Sequence, residues 1–198
     1  MYRQTLLVEE IPGAAKLGGR HREEREVIFT PAGERSEQVV GRPLSTLKQL
    51  ILTKEDFDDI RNIQPLLLTP DRLRFYEIRF RGDEVMDQRD CWVLDVRPRQ
   101  ILQGQRLFEG LVWVDKGEFA ITRMEGKAVP PIYTKDTENL FPRFVTIRKP
   151  VDGKHWFPIE TFADDILPFR NGPLRIRMRI QYTDYKRFGA ESRIVFEK

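Results

Sequence analysis

Two histidines, one cysteine and three short runs of carboxylates are the residues whose types suit chemistry in this chain. His155 follows Val151-Asp152-Gly153 and precedes Trp156; imidazole is a common general base, so His155 is the candidate for proton transfer. His21 stands among charged neighbours and reads as a solvated side chain. Neither histidine has a second His, Cys or carboxylate at the spacing of a metal site. Cys91 lies between Asp90 and Trp92, without the electropositive setting that activates a thiol. It reads as a buried structural residue, and alone it forms no intramolecular disulfide. Paired carboxylates hold hard cations or do acid–base work. Asp56, Asp58 and Asp59, however, fall at an expected helix start, where acids meet the positive end of the macrodipole. Asp83, Glu84 and Asp87 lack the spacing of a calcium loop, and Asp164 with Asp165 likewise reads as structural. No nucleophile elbow, phosphate loop or dinucleotide fingerprint is present, and Gly110 and Gly117 stand isolated, as turn or bulge glycines do. These residues point away from an enzyme, a metal or a cofactor.

The elements that position them follow from length and pattern. The 198 residues fit one domain, 1–198, long enough to bury a core without staples. Hydrophobic content of 40% and aromatic content of 11% argue for a folded chain. Lys+Arg at 34 nearly balances Asp+Glu at 31. Nucleic-acid binding needs basic residues gathered on one face; only Arg170 to Arg187 approaches that, so no nucleic-acid partner is expected. No stretch is long and apolar enough to span a membrane as a helix. No leader peptide precedes Tyr2, and Tyr2 to Val8 already reads as a strand. A leader removed ahead of Met1 is therefore expected.

Turn signals recur about every ten residues, the rhythm of an antiparallel β protein. Strands are expected at Tyr2 to Val8, Glu26 to Thr30 and Arg35 to Val40, the last two joined by Pro31-Ala32-Gly33. Leu44, Leu47, Leu50 and Ile51 repeat at helical spacing after Pro43. Thr53 and Asp56 form the capping box of a second short helix, with Phe57, Ile60 and Ile63 on its apolar side and Pro65 ending it. Tyr76, Ile78 and Phe80 alternate with charged residues up to a Gly82-Asp83 turn, and Cys91 to Val96 returns. Leu107 to Val114 and Phe119 to Glu125 flank Asp115-Lys116-Gly117, where the glycine supplies a positive φ. Phe144 to Lys149, His155 to Ala163, Leu174 to Thr183 and Ser192 to Glu197 complete the strands.

Two strands carry more information. In 174–183, Leu174, Ile176, Met178, Ile180 and Tyr182 share one face; Arg175, Arg177 and Arg179 share the other, as in a sheet wet on one side. The arginines would face an acidic partner or anionic surface, or pair with Glu160 and Glu197 across the sheet. Leu111-Val112-Trp113-Val114 is apolar on both faces and should be central. Tyr76, Ile78, Phe80, Trp92, Leu94, Val96, Trp113, Ile176 and Met178 are the candidate lining of an apolar ligand cavity. A filled core would use the same side chains.

The run Phe108-Glu109-Gly110-Leu111-Val112-Trp113-Val114-Asp115 resembles a strand of outer-membrane lipoprotein-sorting-like proteins, the LolA-like fold group. Ala120 to Lys127, Lys154-His155-Trp156-Phe157-Pro158, Tyr182 to Phe188 and the Pro31 to Arg35 turn are similar to that group too. The resemblance implies a mainly β (α+β) domain. Its strongly curved antiparallel sheet would form an open half-barrel, with short helices over the concave face; residues 44–63 would be the helical lid. It also implies a non-enzymatic carrier or binder of lipid or lipoprotein acyl chains, in the periplasm or at the outer membrane. The alternative is a structural or interaction module that meets an envelope protein through the arginine face of 174–183.

Overall fold

Alternating apolar and polar residues set most of this chain in strands. The computed structural model describes residues 1–13, 18–30, 34–62, 70–101, 106–135 and 138–187. β1 (Tyr2–Ile11) pairs with β2 (Arg20–Phe29), which also pairs with β3 (Arg35–Val39) and the two-residue β4 (Leu44–Ser45). One nine-residue helix, α1 (Lys54–Asn62), and a single helical turn, α2 (Pro70–Leu73), come next. Two hairpins follow, β5 (Tyr76–Met86) with β6 (Arg89–Pro98), and β7 (Leu107–Asp115) with β8 (Ile121–Val129). β9 (Ile132–Tyr133) and β10 (Glu138–Asn139) pair only with each other. β11 (Phe144–Pro150), β12 (Trp156–Phe169) and β13 (Gly172–Thr183) return the chain to β1. The main sheet runs β3-β2-β1-β13-β12-β11-β8-β7-β6-β5; it is antiparallel and not closed into a barrel.

In antiparallel pairs, opposed residues share a face, so register sorts the side chains. Leu6 faces Ile180, Val8 faces Met178, Ala163 faces Met178 and Thr146 faces Met124. These residues belong to one side, which buries the principal core from Val27 on β2 to Tyr76 on β5. Ile60 of α1, Leu140 and Phe141 cover that side, with Leu50 and Leu52 packed against it. The Phe108 ring lies over a glycine pair: Gly110 opposes Gly126, and a Cβ on either would fall within 3 Å of that ring and of the facing backbone. Gly110 is thus a packing glycine inside a strand, not a turn or bulge. β7 is an interior strand, third from the β5 edge rather than at the centre of the sheet, with Val112 and Trp113 buried on opposite faces.

The capping box forms: the Thr53 amide donates to Asp56 Oδ2 at 2.7 Å, and the Asp56 amide to Thr53 Oγ1 at 3.4 Å. The helix expected from Leu44 to Ile51 does not. Leu44 and Ser45 pair with β2. The Glu10 carboxylate, buried on β1, accepts the backbone N–H groups of Gly19, Lys48, Gln49 and Leu50 at 2.6–3.1 Å. A tertiary carboxylate therefore takes the donors that helical spacing would have left to a first turn.

Gly82-Asp83 is not a turn either. Gly82, at φ 154°, sits in a bulge, and the strand continues to Met86. The hairpin turns at Asp87-Gln88, both at positive φ, the conformation that matches strand twist in a two-residue connection. At the next hairpin the positive φ falls on Phe119 rather than Gly117, because Asp115 Oδ1 gathers the amides of Gly117 and Glu118. Gly153 and Gly172 take positive φ at the turns expected there. Pro31-Ala32-Gly33, Ile63, Pro65, Phe188 and Ser192 to Glu197 lie outside the described residues.

Candidate functional site

At the β5 edge of the sheet the core-bearing face loses its cover. Ile78 opposes Val96, Phe80 opposes Leu94, and Leu94 opposes Val112. Beyond the bulge the register sets Asp83 against Trp92 and Val85 against Asp90. Ile78, Phe80, Val85, Trp92 and Leu94 therefore share the face that elsewhere carries the core. There Phe80 is 64% exposed, Val85 72% and Ile78 39%. Phe119, in the β7–β8 turn and 73% exposed, packs its ring 5.7 Å from Trp92. Single exposed apolar residues are ordinary, but a run of them on one strand face marks a contact surface.

The expected lining residues divide. Tyr76, Val96, Ile176 and Met178 are at most 3% exposed and belong to the buried core cluster. Tyr76 also accepts the Phe108 amide at 3.1 Å through its hydroxyl. Leu94 packs against the margin of that core, and Trp92 is half-buried beside Phe119. Ile78 and Phe80 stand open. Trp113 opposes Val93 on the other face, in a small cluster with Cys91, its indole donating to Glu84 Oε2 at 2.8 Å. Register alone separates Trp113 from the rest, since it sits one residue out of phase with Val112. Val85 and Phe119 were missed because Gly82 read as a turn and Phe119 as the start of a strand.

Beneath α1 the covered face is polar. His21 is buried, not solvated, with its ring 6.0 Å from Phe57, and burial pushes its imidazole below the usual range. Beside it Arg25 pairs with Glu23 and Glu37, and Arg35 and Arg61 also pair with Glu37. β2 begins six residues earlier than apolar alternation indicates, and this carries charged side chains inward. The void among Leu6, Glu23, Arg25, Glu37, Phe57 and Ile60 is only about 10 Å³, room for about one water. Also on α1, Asp59 pairs with Arg106 at 2.9 Å while Asp56 accepts the Asn139 amide at 2.8 Å. Burial pushes the Asp59 carboxyl up to about 7, the Arg106 guanidinium pulling the other way.

The remaining chemical candidates have structural partners. His155 Nδ1 lies 2.6 Å from Asp152 Oδ2 in an exposed turn. Cys91 is fully buried, with burial raising its thiol pKa, and its sulfur is 3.8 Å from Thr122 Oγ1. Asp83 pairs with Lys116. On β13, Arg175 and Arg177 both bond Asp164, and Arg179 pairs with Glu160. The arginine face is thus laced by β12 carboxylates. Among the described residues no group of three or more His, Cys, Asp or Glu is arranged to hold a metal ion.

No family model matches the chain, and no curated protein matches it. Solved structures do. A LolA superfamily protein from Nitrosomonas europaea is similar over 92% of this chain and 84% of its own, at 12% identity and a TM-score of 0.38. A DUF1329 family protein from Desulfovibrio piger is similar over 92% and 84%, at 15% identity and a TM-score of 0.40. A putative outer membrane lipoprotein-sorting protein domain from Vibrio parahaemolyticus is similar over 92% and 83%, at 12% identity and a TM-score of 0.40.

Proposed function

We propose that this chain is a non-enzymatic cell-envelope protein, periplasmic or held at the outer membrane. In this reading it binds the acyl chain of a lipid or lipoprotein against the open face of β5 and β6. The supporting observation is the exposed Ile78, Phe80 and Val85, with Phe119 packed on half-buried Trp92, on the same sheet face that elsewhere buries the core. Each CH₂ withdrawn from water contributes about 0.8 kcal/mol, so an acyl chain laid along these side chains is held without a directional polar contact.

The same reading takes the sheet as an open half-barrel. Ten strands laid flat would span roughly 43 Å at about 4.8 Å spacing, whereas a helix of nine residues is about 13.5 Å long. One continuous core from β2 to β5 beneath so short a helix and the Leu140–Phe141 segment supports a curled sheet. In the half-barrel the filled part supports the fold and the β5 side receives the ligand. The envelope location rests on the motif resemblance; no helix among the described residues is long and apolar enough to cross a membrane.

Native mass spectrometry of protein purified from cells, followed by organic extraction, tests the proposal. Co-purified acyl lipid or lipoprotein is the expected result. Phe80→Asp should abolish uptake while keeping thermal stability close to the parent, because surface substitutions usually stay within about 0.5 kcal/mol. An apo mass that never shifts on adding lipids would sink the reading.

A further inference from the structure

β5 ends the sheet on one side, and among the described residues no strand pairs with its outer edge. The Arg99 amide donates to the Phe75 carbonyl at 2.8 Å, just outside the opposed pair Tyr76 and Pro98. Tyr76–Pro98 is therefore a pair without hydrogen bonds of its own, and such pairs alternate with bonded ones along an antiparallel ladder. On β6 the alternation continues through Val96, Leu94, Trp92 and Asp90, which oppose Ile78, Phe80, Asp83 and Val85. The N–H and C=O groups of these β5 residues thus point away from β6, and all four residues are exposed. A row of outward donors and acceptors is a template for one more strand.

The side chains of β5 fit a second copy of β5. The bulge at Arg81 and Gly82 shifts the side-chain alternation by one residue. A two-fold axis between Arg81 and Gly82 sets bulge against bulge, and faces then match from Glu77 to Met86. Every other antiparallel register between two copies puts the bulges out of line and mismatches the faces between them. In the matched register Arg79 opposes Glu84 of the second copy, and Ile78 opposes Val85, each twice by symmetry. No like charges are opposed: Glu77 meets Met86, Phe80 meets Asp83, and Arg81 meets Gly82. The outward backbone groups of Ile78 and Phe80 meet those of Val85 and Asp83, so bonding positions face bonding positions. Arg79 is exposed and bonds Glu77 of its own chain at 2.7 Å. Glu84 accepts the Trp113 indole through Oε2, and its Oε1 has no partner among the described residues.

We propose that β5 is a self-association edge, through which two copies of this chain join antiparallel into one continuous sheet. The interface uses each β5 once, so it closes as a two-fold dimer and does not grow into a fibre. It rests on the backbone edge and on Arg79 and Glu84, which face away from Phe80, and so stands apart from the acyl-chain reading.

Sedimentation equilibrium from about 1 to about 500 μM, the range that brackets a weak to moderate dimer, tests it. The samples are the parent, Arg79→Glu, Glu84→Lys, an equimolar mixture of those two variants, and Val85→Pro. The parent is expected to dimerise. Each charge variant alone should weaken the dimer about fivefold or more, because like charges then meet at both symmetric positions. The mixture should restore it, since each chain then offers the other the opposite charge, an outcome that a folding defect in either chain would not give. Val85→Pro removes a donor aimed away from β6, which an edge strand tolerates; it should weaken the dimer and leave the monomer folded. Acyl-chain uptake should be the same in Arg79→Glu as in the parent, so loss of the dimer and loss of uptake are read separately. A parent that stays monomeric throughout would overturn the proposal and leave this edge to a strand of another protein. A dimer that neither the charge variants nor Val85→Pro weakens, or one that the mixture fails to restore, would overturn it as well.

Discussion

Glu10 shows how one side chain can decide a segment. Burial pushes its carboxyl up, but the four backbone N–H groups it accepts outweigh this and hold it below the usual range. Its stabilising contribution is therefore present above about pH 4.5 and lost as pH falls through the lowered value. Glu10→Ala would strand those donors. A loss of about 2–4 kcal/mol is expected, as for charge-assisted bonds removed from buried partners. Chemical denaturation would measure it, and an unchanged midpoint would remove Glu10 from this role. Asp59 has the opposite sign. Its carboxyl is raised to about 7 from 3.8, so between those values the native state holds more proton than the unfolded chain. Stability from this group is complete below about pH 4 and declines as pH rises toward 7. Asp59→Asn removes that slope. The melting temperature of the parent minus that of the variant should fall by a few degrees between pH 5 and pH 8. A flat difference would mean that Arg106 controls the site instead.

At the scale of elements, the β7–β8 hairpin depends on an absence. Gly110 and Gly126 oppose each other so that the Phe108 ring can lie over both. A Cβ at position 126 would stand 2.3 Å from the Glu109 carbonyl oxygen, which a strand cannot relieve without shifting. Gly126→Ala is expected to cost about 1–3 kcal/mol by overpacking, read as a drop in melting temperature of about 2–4 °C per kcal/mol for a chain of this size. A neutral or stabilising result would show that the Phe108 ring yields freely. The alternation in β13 was legible in the sequence because period-two patterning is local, and so was the capping box of α1, whose partners lie three residues apart. The 44–51 segment was misread because its decisive acceptor is on another strand, nearly forty residues away.

Over the whole molecule, the sequence determined the antiparallel β character, the two buried faces of β7 and the inward face of β13. All of these depend on residue type and short-range period. Only the tertiary structure decided which of the equally apolar residues are filled core and which stand open: Val96 and Phe80 share a face and read alike, yet one is fully buried and the other 64% exposed. It likewise decided that Trp113 faces away from Trp92 and Leu94, that His21 and Glu23 lie inside, and that the β13 arginines meet β12 carboxylates. Burial and charge pairing depend on what the rest of the chain brings to each face, and register, bulges and long-range contacts settle that.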